Sequence, residues 1–247
     1  MMAKVSGLWR HPIKSHGREA LNSVSLEAGK TMPGDRVWAV AHEASKADAS
    51  AWSPCANFSI GAKAPGLMAI NAVYDEAAGR VTLTHPELAE LTLDPDTEGD
   101  RLVAWTRPIM PEGRAASARV IRVPGRGMTD TDYPSVSIGN LASHRAVEES
   151  MGQSLSEKRW RINVWLDGLE PWEEFGWAGR EIQIGSVRFL VRERVRRCMA
   201  TTANPETGLR DAETLKTLNG FGHQDLGMYA EVIGTGEIAL GDSVVIS

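Results

Sequence analysis

The first half of the chain alternates short apolar segments with turn residues. Within the segments, apolar side chains tend to recur at every second position, a period that predicts half-buried β-strands. The connectors, such as Met32-Pro33-Gly34-Asp35, carry the residues that tight turns require. No helical period is evident in this half, so the pattern favours a β meander or barrel. We predict six strands here, over residues 5–9, 36–42, 67–73, 80–84, 91–93 and 102–105.

A helix is predicted where this pattern changes, over residues 140–150. Its apolar positions fall on one face, as in a helix that packs against a core. Ser137 or Asn140 is placed to cap its amino end, and Gly152 is placed to end it.

The rest of the second half returns to β structure. A second short helix is predicted over residues 212–218, with Asp211 as its cap. Residues 181–195 are expected to form two strands that turn at 184–186. The chain is therefore predicted to be mainly β, of the α+β class, with a few short helices. The other predicted strands are 119–123, 161–166, 227–233 and 243–246.

Composition narrows the class of protein. With 247 residues and 42% hydrophobic content, the chain is long enough for one large β domain or two smaller ones. A formal charge of -5 argues against nucleic acid as a partner, because such binding needs a broad positive field. No segment approaches the ~20 apolar residues that span a bilayer, and two cysteines are too few for a disulfide framework. We therefore expect a protein of the reducing cytoplasm without a transmembrane segment.

The charge reverses sign around one of the two cysteines. Guanidinium groups next to a thiol stabilise its thiolate, the form that attacks electrophiles and binds soft or high-valent metals. The stretch therefore predicts a focused anion pocket with a functional cysteine. A structural cysteine is the alternative that the charge pattern leaves open. The residues concerned are Arg188, Arg192, Arg194, Arg196, Arg197 and Cys198.

Three segments of the second half share their order with a known family. Arg197-Cys198 is followed by Thr201-Thr202 and then by Pro205-Glu206-Thr207-Gly208. Arg159-Trp160-Arg161-Ile162-Asn163 precedes them, and Gly227-Met228-Tyr229-Ala230 follows. This pattern resembles the MOSC domain, named for the C-terminal part of molybdenum cofactor sulfurases.

The first half carries a matching resemblance. His11-Pro12-Ile13-Lys14-Ser15 and Gly34-Asp35-Arg36-Val37-Trp38 are similar to motifs of the β-barrel domain that precedes MOSC in the mitochondrial amidoxime-reducing component and its bacterial relatives. The resemblance implies an N-terminal β-barrel-like domain over 1–115, packed with a MOSC β-barrel over 116–247. The closing strands are expected to pack with both.

The resemblance implies a molybdenum cofactor (molybdopterin) whose metal takes the sulfur of Cys198 as a ligand, which makes Cys198 the expected catalytic residue. The cofactor's phosphate is expected among Lys14, Ser15 and Arg36, which offer a point charge, a hydroxyl and a planar fork. Without the family motif, these three would be interpreted as ordinary surface residues. Further cofactor contacts are expected from Ser137, Asn140, Asn163, Arg197 and Tyr229.

Arg159 and Arg161 require a choice under the same resemblance. Both belong to the segment 159–163, which resembles a strand of the family, and alternate residues of a strand face the core and the solvent in turn. Only one of the two is therefore expected to reach the cofactor, and we choose Arg161.

Some positions depart from the family pattern. Ile162 replaces a proline, His11 replaces an aromatic residue, and the segment 52–58 follows the family less well, which puts the choice of substrate in doubt. Cys55, in that segment, is expected to be a loop or packing residue and not a second metal ligand. The sequence also lacks the spacings typical of a zinc site and of a dinucleotide-binding Rossmann motif.

Three functions remain open from the sequence. The first is an oxidoreductase that reduces N-hydroxylated or S-oxidised small molecules with electrons from a separate ferredoxin, cytochrome or flavin reductase. The second is a sulfur carrier or transferase in which Cys198 bears a persulfide received from a sulfur donor. The third is a non-catalytic carrier of the molybdenum cofactor. Binding of pyridoxal phosphate is a further expectation at the family level.

Overall fold

A computed structural model describes residues 3–246, and most of its regular structure is β. Three α-helices accompany the strands in this part of the chain: α1 (Gly99–Thr106), α2 (Leu141–Met151) and α3 (Thr214–Gly220). The mainly β fold class predicted from the sequence is confirmed. The strands are β1 (Lys4–Arg10), β2 (Glu19–Leu21), β3 (Ser23–Leu26), β4 (Trp38–His42), β5 (Asn71–Asp75), β6 (Arg80–His85), β7 (Leu88–Leu93), β8 (Ser117–Arg122), β9 (Val136–Asn140), β10 (Val164–Asp167), β11 (Glu181–Ile184), β12 (Val187–Arg196), β13 (Asp225–Gly234), β14 (Gly236–Ala239) and β15 (Val244–Ile246).

The largest sheet has eight strands in the order β15-β11-β12-β13-β9-β10-β1-β2. Its centre is built from β12 and β13, which pair antiparallel over ten residues each. Val187, Phe189 and Val191 alternate on the inner face of β12 and are fully buried. This alternation places the apolar side chains in the core and Arg188 on the outer face.

Strands from the first half of the chain pair with strands from the second half. β1 and β2 extend the large sheet beyond β10, β3 pairs with β14, and β4 pairs with β8. The meander β5-β6-β7 is a separate sheet of three strands. β1 pairs with β10, a strand of the second half. The connection after β1 therefore lies beside the loops that follow β8 and β12, and Lys14 and Arg18 donate hydrogen bonds to carbonyls in these loops.

Two strand predictions in the first half were wrong. Residues 102–105 belong to α1, in which Leu102 and Thr106 lie four residues apart and are both buried. A short apolar run does not show whether its period is that of a helix or of a strand, so the burial of these two side chains on one face decides for the helix. Residues 67–73 are divided between a 3₁₀ turn (Pro65–Ala69) and β5, because Pro65 starts the turn.

The prediction for α2 is confirmed, and its cap is Asn140. The Asn140 side chain accepts a hydrogen bond from the Ala142 N–H, and Gly152 ends the helix with φ 62°. The predicted cap of α3 was wrong. That helix starts after Glu213 without a side-chain cap, and the Asp211 carboxylate instead accepts hydrogen bonds from Arg159 and Asn204.

Two further strands start later than predicted. β4 starts at Trp38 and not at Arg36, and β10 starts at Val164 and not at Arg161. Both arginines adopt left-handed backbone conformations, with φ 51° and φ 50°. A strand cannot pass through such residues, and both are in the candidate site.

Candidate functional site

A cleft opens where the two halves of the chain meet. One wall comes from the connection after β1, from Arg36 shortly before β4, from Cys55 in a 3₁₀ turn (Cys55–Asn57), and from residues 60–62 after that turn. The facing wall comes from the segment before β10, the end of β12 and the middle of β13. Eight of the ten predicted site residues line the cleft: Lys14, Ser15, Arg36, Ser137, Arg161, Arg197, Cys198 and Tyr229.

Cys198 lies directly after β12, at the edge of this cleft, and is exposed. Its backbone is extended and precedes a 3₁₀ turn (Met199–Thr202). The carbonyl of Cys198 accepts hydrogen bonds from the backbone N–H and the hydroxyl of Thr201, at 3.1 and 3.0 Å. The Thr201 hydroxyl also contacts Thr214 Oγ1 at 2.8 Å, which joins the turn to α3. The thiol is therefore accessible while its backbone is fixed.

The loop after Cys198 is held against the opposite wall by arginines. Arg210 donates hydrogen bonds to the carbonyls of Met199 and Ala62, at 2.5 and 2.8 Å, and so connects the cysteine turn to the first half of the chain. Gly208 has φ 73°, and a Cβ there would lie 2.7 Å from the Cα of Gly66. Only glycine allows this approach, which explains the glycine of the Pro-x-Thr-Gly loop.

Backbone strain is concentrated in the cleft. Five non-glycine residues within 3–246 have φ in the left-handed region, and three of them, Ser15, Arg36 and Arg161, line the cleft. Each such residue costs about 1 kcal/mol or more, and persists only where the surroundings hold it. Such strain is concentrated at ligand sites in proteins, so its location favours a functional cleft.

Arg36 is held by a buried carboxylate. It donates hydrogen bonds to Asp35 and, at 3.1 Å, to the carbonyl of Arg161. The Asp35 carboxylate also accepts from the His11 N–H and the Asn163 amide, at 2.8 and 3.0 Å. Burial alone would raise the pKa of Asp35, but the Arg36 guanidinium and the hydrogen bond from His11 lower it below its ordinary value. The side chain of Arg36 is therefore paired and fixed.

Lys14 is neutralised in a similar way. Its ammonium donates to the carbonyls of Met128 and Thr129, at 2.8 and 3.3 Å, and to the carboxylate of Asp130. The Cys55 thiol donates to the same carboxylate at 3.1 Å. Burial, with Asp130 nearby, raises the pKa of Cys55 to about 11, so this thiol stays protonated at neutral pH. Sequence reasoning missed Asp130, which no motif marks.

Arg159 and Arg161 both line the cleft, although the sequence predicts that only one of them reaches the cofactor. Arg159 closes a 3₁₀ turn (Glu157–Trp160) and Arg161 follows in left-handed conformation, so strand alternation does not apply. Arg159 is 3% exposed and pairs with Asp211 at 2.8 Å, yet its Nε and Nη1 have no partner within 3–246. Arg161 donates to the Gly17 carbonyl at 3.0 Å, and its Nη2 has no partner there either.

The charge of Arg161 is destabilised by its surroundings. Burial, followed by the neighbouring Arg36 and Arg18 guanidinium groups, lowers the pKa of Arg161 to about 9. Buried N–H donors without partners cost free energy. An anion or an array of polar oxygens in the cleft would satisfy the donors and compensate the repulsion.

Comparisons with known proteins show the family of this chain. The family model described as the MOSC domain matches residues 129–245, and the MOSC N-terminal beta barrel domain matches residues 2–118. The chain belongs to the MOSC family. Molybdenum cofactor sulfurases from Drosophila ananassae and Drosophila melanogaster are each 28% identical to it, over 162 and 142 residues, or 60% and 53% of this chain. The chain spans only about a fifth of their length, since the matches cover 20% and 17% of those proteins.

A solved structure supports the fold. The crystal structure of the YUAD protein from Bacillus subtilis has a TM-score of 0.50 and 13% sequence identity to this MOSC chain. The match covers 99% of this chain and 94% of that one. Within residues 3–246, no helix is long and apolar enough to cross a bilayer.

Two residues expected from the MOSC resemblance do not line the cleft. The Asn140 side chain caps α2 through its oxygen, and its amide donates to the Glu170 carbonyl and to Glu174, at 2.7 and 2.9 Å. The Asn163 oxygen accepts from the N–H and hydroxyl of Ser137, and its amide donates to Trp9 and Asp35. Both side chains therefore have their hydrogen bonds within the protein, although Asn163 borders a small cavity below the cleft.

Three of the five arginines near Cys198 do not line the cleft. The prediction that this arginine-rich stretch forms one anion pocket was therefore wrong. Arg188, Arg192 and Arg194 are exposed on the outer face of β12, within 4.0 Å of Glu181, Glu231 and Asp225. Arg196 and Arg197 line the cleft. The buried Arg197 guanidinium donates to the carbonyls of Trp160, at 2.7 Å, and Leu226.

Proposed function

We propose that this MOSC protein binds a molybdenum cofactor in the cleft, with the sulfur of Cys198 as the protein ligand of the metal. The observation that carries the proposal is the combination of an exposed thiol on a fixed backbone with buried arginine N–H groups that lack partners. A thiolate is a suitable ligand for a soft or high-valent metal. When bound, the cofactor would supply two-electron redox chemistry at the metal.

The residues of the cleft fit the anionic part of such a cofactor. Arg159 and Arg161 offer unpartnered donors, and Ser15 offers a hydroxyl in a strained loop beside them. Lys14 and Arg36 add positive charge, and each pairs with a carboxylate. Arg159 also pairs with a carboxylate, Asp211, but keeps two further donors free. We propose that Arg159 and Arg161 make the direct phosphate contacts and that Lys14 and Arg36 shape the cleft and its field.

Neutral donors are available for the polar ring edges of a pterin. Burial raises the pKa of Tyr229 well above its ordinary value, so its phenol remains protonated. Ser137 lies beside it on β9, with its backbone paired to Tyr229. We propose that these two residues, together with Arg197, bind the pterin side of the cofactor.

The reaction that we propose is the reduction of N-hydroxylated or S-oxidised small molecules. The substrate oxygen leaves as water, which takes two electrons and two protons. A separate ferredoxin, cytochrome or flavin reductase would deliver the electrons. The substrate would enter past residues 60–62, which line the cleft opposite Cys198. We place the protein in the cytoplasm, because both of its cysteines are free thiols.

A sulfur-carrier role is the second candidate. The exposure of Cys198 suits a persulfide that must reach an acceptor, and both matched fly proteins are molybdenum cofactor sulfurases. A sulfur donor would then be the partner. Pyridoxal phosphate binding has less support, because Lys14 is the lysine among the cleft-lining residues and its ammonium contacts three oxygens.

The two cysteines of the cleft provide a matched experiment. The wild type, Cys198→Ser and Cys55→Ser would be produced in a molybdopterin-competent host, and molybdenum and pterin would be measured in each. We expect the wild type and Cys55→Ser to hold stoichiometric metal, and Cys198→Ser to lose at least about tenfold in metal content. Equal metal in all three proteins would rule out the proposed ligand.

Two further measurements separate the candidate functions. Reduction of benzamidoxime by a chemical reductant, dependent on Cys198, supports the oxidoreductase. A mass increase of one sulfur atom on Cys198 without molybdenum supports the sulfur carrier. Stoichiometric metal without any turnover of amidoxime or sulfoxide would instead indicate a carrier of the cofactor.

A further inference from the structure

A second cavity lies behind the wall that faces Cys198. Its volume is about 170 Å³, and it shares Ile60 with the cleft. Segment 59–64 separates the two spaces: Gly61 and Ala62 line the cleft, and Ser59 and Lys63 line the cavity. A cavity of this size can hold a single aromatic ring. Nothing in the proposed chemistry of Cys198 uses this space.

The inner part of the cavity is apolar. Phe58 is fully buried beneath it, and Ile60 and Met110 contribute half-buried side chains. These side chains come from the segment after the 3₁₀ turn at Cys55 and from the end of the segment after α1. Such a floor fits an aromatic ring or a short alkyl chain.

The mouth of the cavity is positively charged. Lys63 and Arg114 are exposed there, and neither side chain has an ion-pair or hydrogen-bond partner within residues 3–246. This differs from Lys14 and Arg36, each of which pairs with a carboxylate. Glu112 is near in sequence but is not among the residues that line the cavity. Two cations free of partners at the rim of an apolar space attract an anionic head group.

His42 adds a directional group. Its Nε2–H donates to the carbonyl of Ala56 at 2.7 Å, so the Nδ1 of the neutral ring carries a lone pair. This Nδ1 is buried and has no partner in the part of the chain that the structure describes. An unsatisfied buried acceptor is destabilising, and a hydroxyl or amino group on a ligand would satisfy it.

We propose that this cavity is a second binding site, for a small organic anion whose apolar body carries one hydroxyl or amino donor. The anionic group binds at Lys63 and Arg114, the apolar body packs on Phe58, Ile60 and Met110, and the donor binds His42 Nδ1. Hydroxylated aryl carboxylates and short hydroxy fatty acids have this combination of groups. The site is independent of the molybdenum proposal, because it requires neither Cys198 nor a cofactor.

Matched probes test the chemistry. Binding of 4-hydroxybenzoate and 6-hydroxyhexanoate to the purified chain would be measured by calorimetry and by the NMR signals of the His42 ring. We expect 4-methoxybenzoate, which lacks the donor, to bind about fivefold more weakly than 4-hydroxybenzoate. We expect 4-hydroxybenzyl alcohol, which lacks the charge, to bind about tenfold more weakly. No binding of either hydroxy acid at millimolar concentration would overturn the proposal.

Matched variants test the location. The double variant Lys63→Gln/Arg114→Gln should weaken 4-hydroxybenzoate binding about tenfold. Lys216→Gln removes another exposed lysine, on α3, and should leave it unchanged. Cys198→Ser should also bind normally, so the outcome does not depend on the proposed function of the cleft. Weakening by Arg161→Gln, with no effect of the double variant, would place the probe in the cleft and reject this site.

Discussion

The two sides of the cleft differ in how their cations are neutralised. Lys14 and Arg36 each pair with a carboxylate from the protein, and neither has a buried donor that lacks a partner within residues 3–246. Arg159 also pairs with a carboxylate, Asp211, but it and Arg161 keep buried N–H groups without partners. A donor that already has a partner gains little from a further anion, because its hydrogen bond must first be weakened. Unpartnered buried donors gain a complete hydrogen bond. The paired side therefore organises the cleft, and the unpartnered side is where a ligand gains most free energy.

The largest effect is expected on the paired side, from Asp35→Asn. Asp35 is 1% exposed and neutralises the buried Arg36, so its loss leaves an uncompensated charge. We expect a loss of about 3–5 kcal/mol in the free energy of unfolding, measured by guanidinium titration. Asp167→Asn removes a carboxylate from an exposed pair with Arg145 and should cost less than about 1 kcal/mol. Similar losses in the two variants would contradict the structural role of the buried pair.

The next largest effect is a pH dependence of the free energy of unfolding, which we expect from His16. His16 lies beside Lys14. His16 is fully buried, and burial lowers its pKa from 6.5 to about 4. Between these values the unfolded chain binds a proton that the folded chain does not, so stability falls as the pH falls from 6.5 towards 4. The contribution of His16 is on the order of 2–3 kcal/mol over this range.

The measurement is the free energy of unfolding at several pH values, for the wild type and for His16→Gln. His11, whose pKa is lowered to about 3 mainly by burial, adds a slope of the same sign that both proteins retain. The variant should therefore show a shallower dependence between pH 6.5 and 4. Parallel curves for the two proteins would contradict a neutral His16 in the folded chain.

On the unpartnered side, Arg161→Gln should lower anion affinity with little effect on stability. Its guanidinium lies near two other arginines, so removing its charge relieves repulsion. Pyrophosphate serves as the probe, and we expect its affinity to fall about tenfold by calorimetry. Arg192→Gln, which removes an exposed arginine from the outer face of β12, is the matched control and should bind normally. Equal affinity in the two variants would show that Arg161 does not contact the anion.

Much of the fold could be predicted from the sequence, because local signals specify it. The alternation of β12 and the cap and glycine of α2 gave elements close to those observed. The helix α1 was missed because Leu102–Trp105 is too short for its period to decide between helix and strand. Arg159 and Arg161 were treated as strand residues because a left-handed conformation at a non-glycine residue has no sequence signature.

The site was predictable in its members but not in its pairings. The family motifs indicated Cys198, Lys14 and Arg161, and the fold brings these three to one cleft. The partner of Lys14 is Asp130, which is 116 residues away in the chain. Such a contact depends on the complete packing of β4, β8 and β9, and no local pattern reports it. The sequence therefore could not separate the paired cations from the unpartnered ones.

The smallest effect, and the sharpest test of this difference, is expected from Asp130→Asn. Partial desolvation in the cleft alone would raise the pKa of Asp130, but Lys14 and Arg36 lower it below its ordinary value, so the group is a carboxylate at neutral pH. It is 45% exposed, in the cleft, and competes with any anion for the Lys14 ammonium. Removing its charge while keeping its shape should raise pyrophosphate affinity about threefold at low salt. The gain should diminish at high salt, because exposed charges are screened. An unchanged or lower affinity in Asp130→Asn would mean that Asp130 and pyrophosphate do not compete for the Lys14 ammonium. The pairing of Lys14 would then have no effect on what the cleft binds.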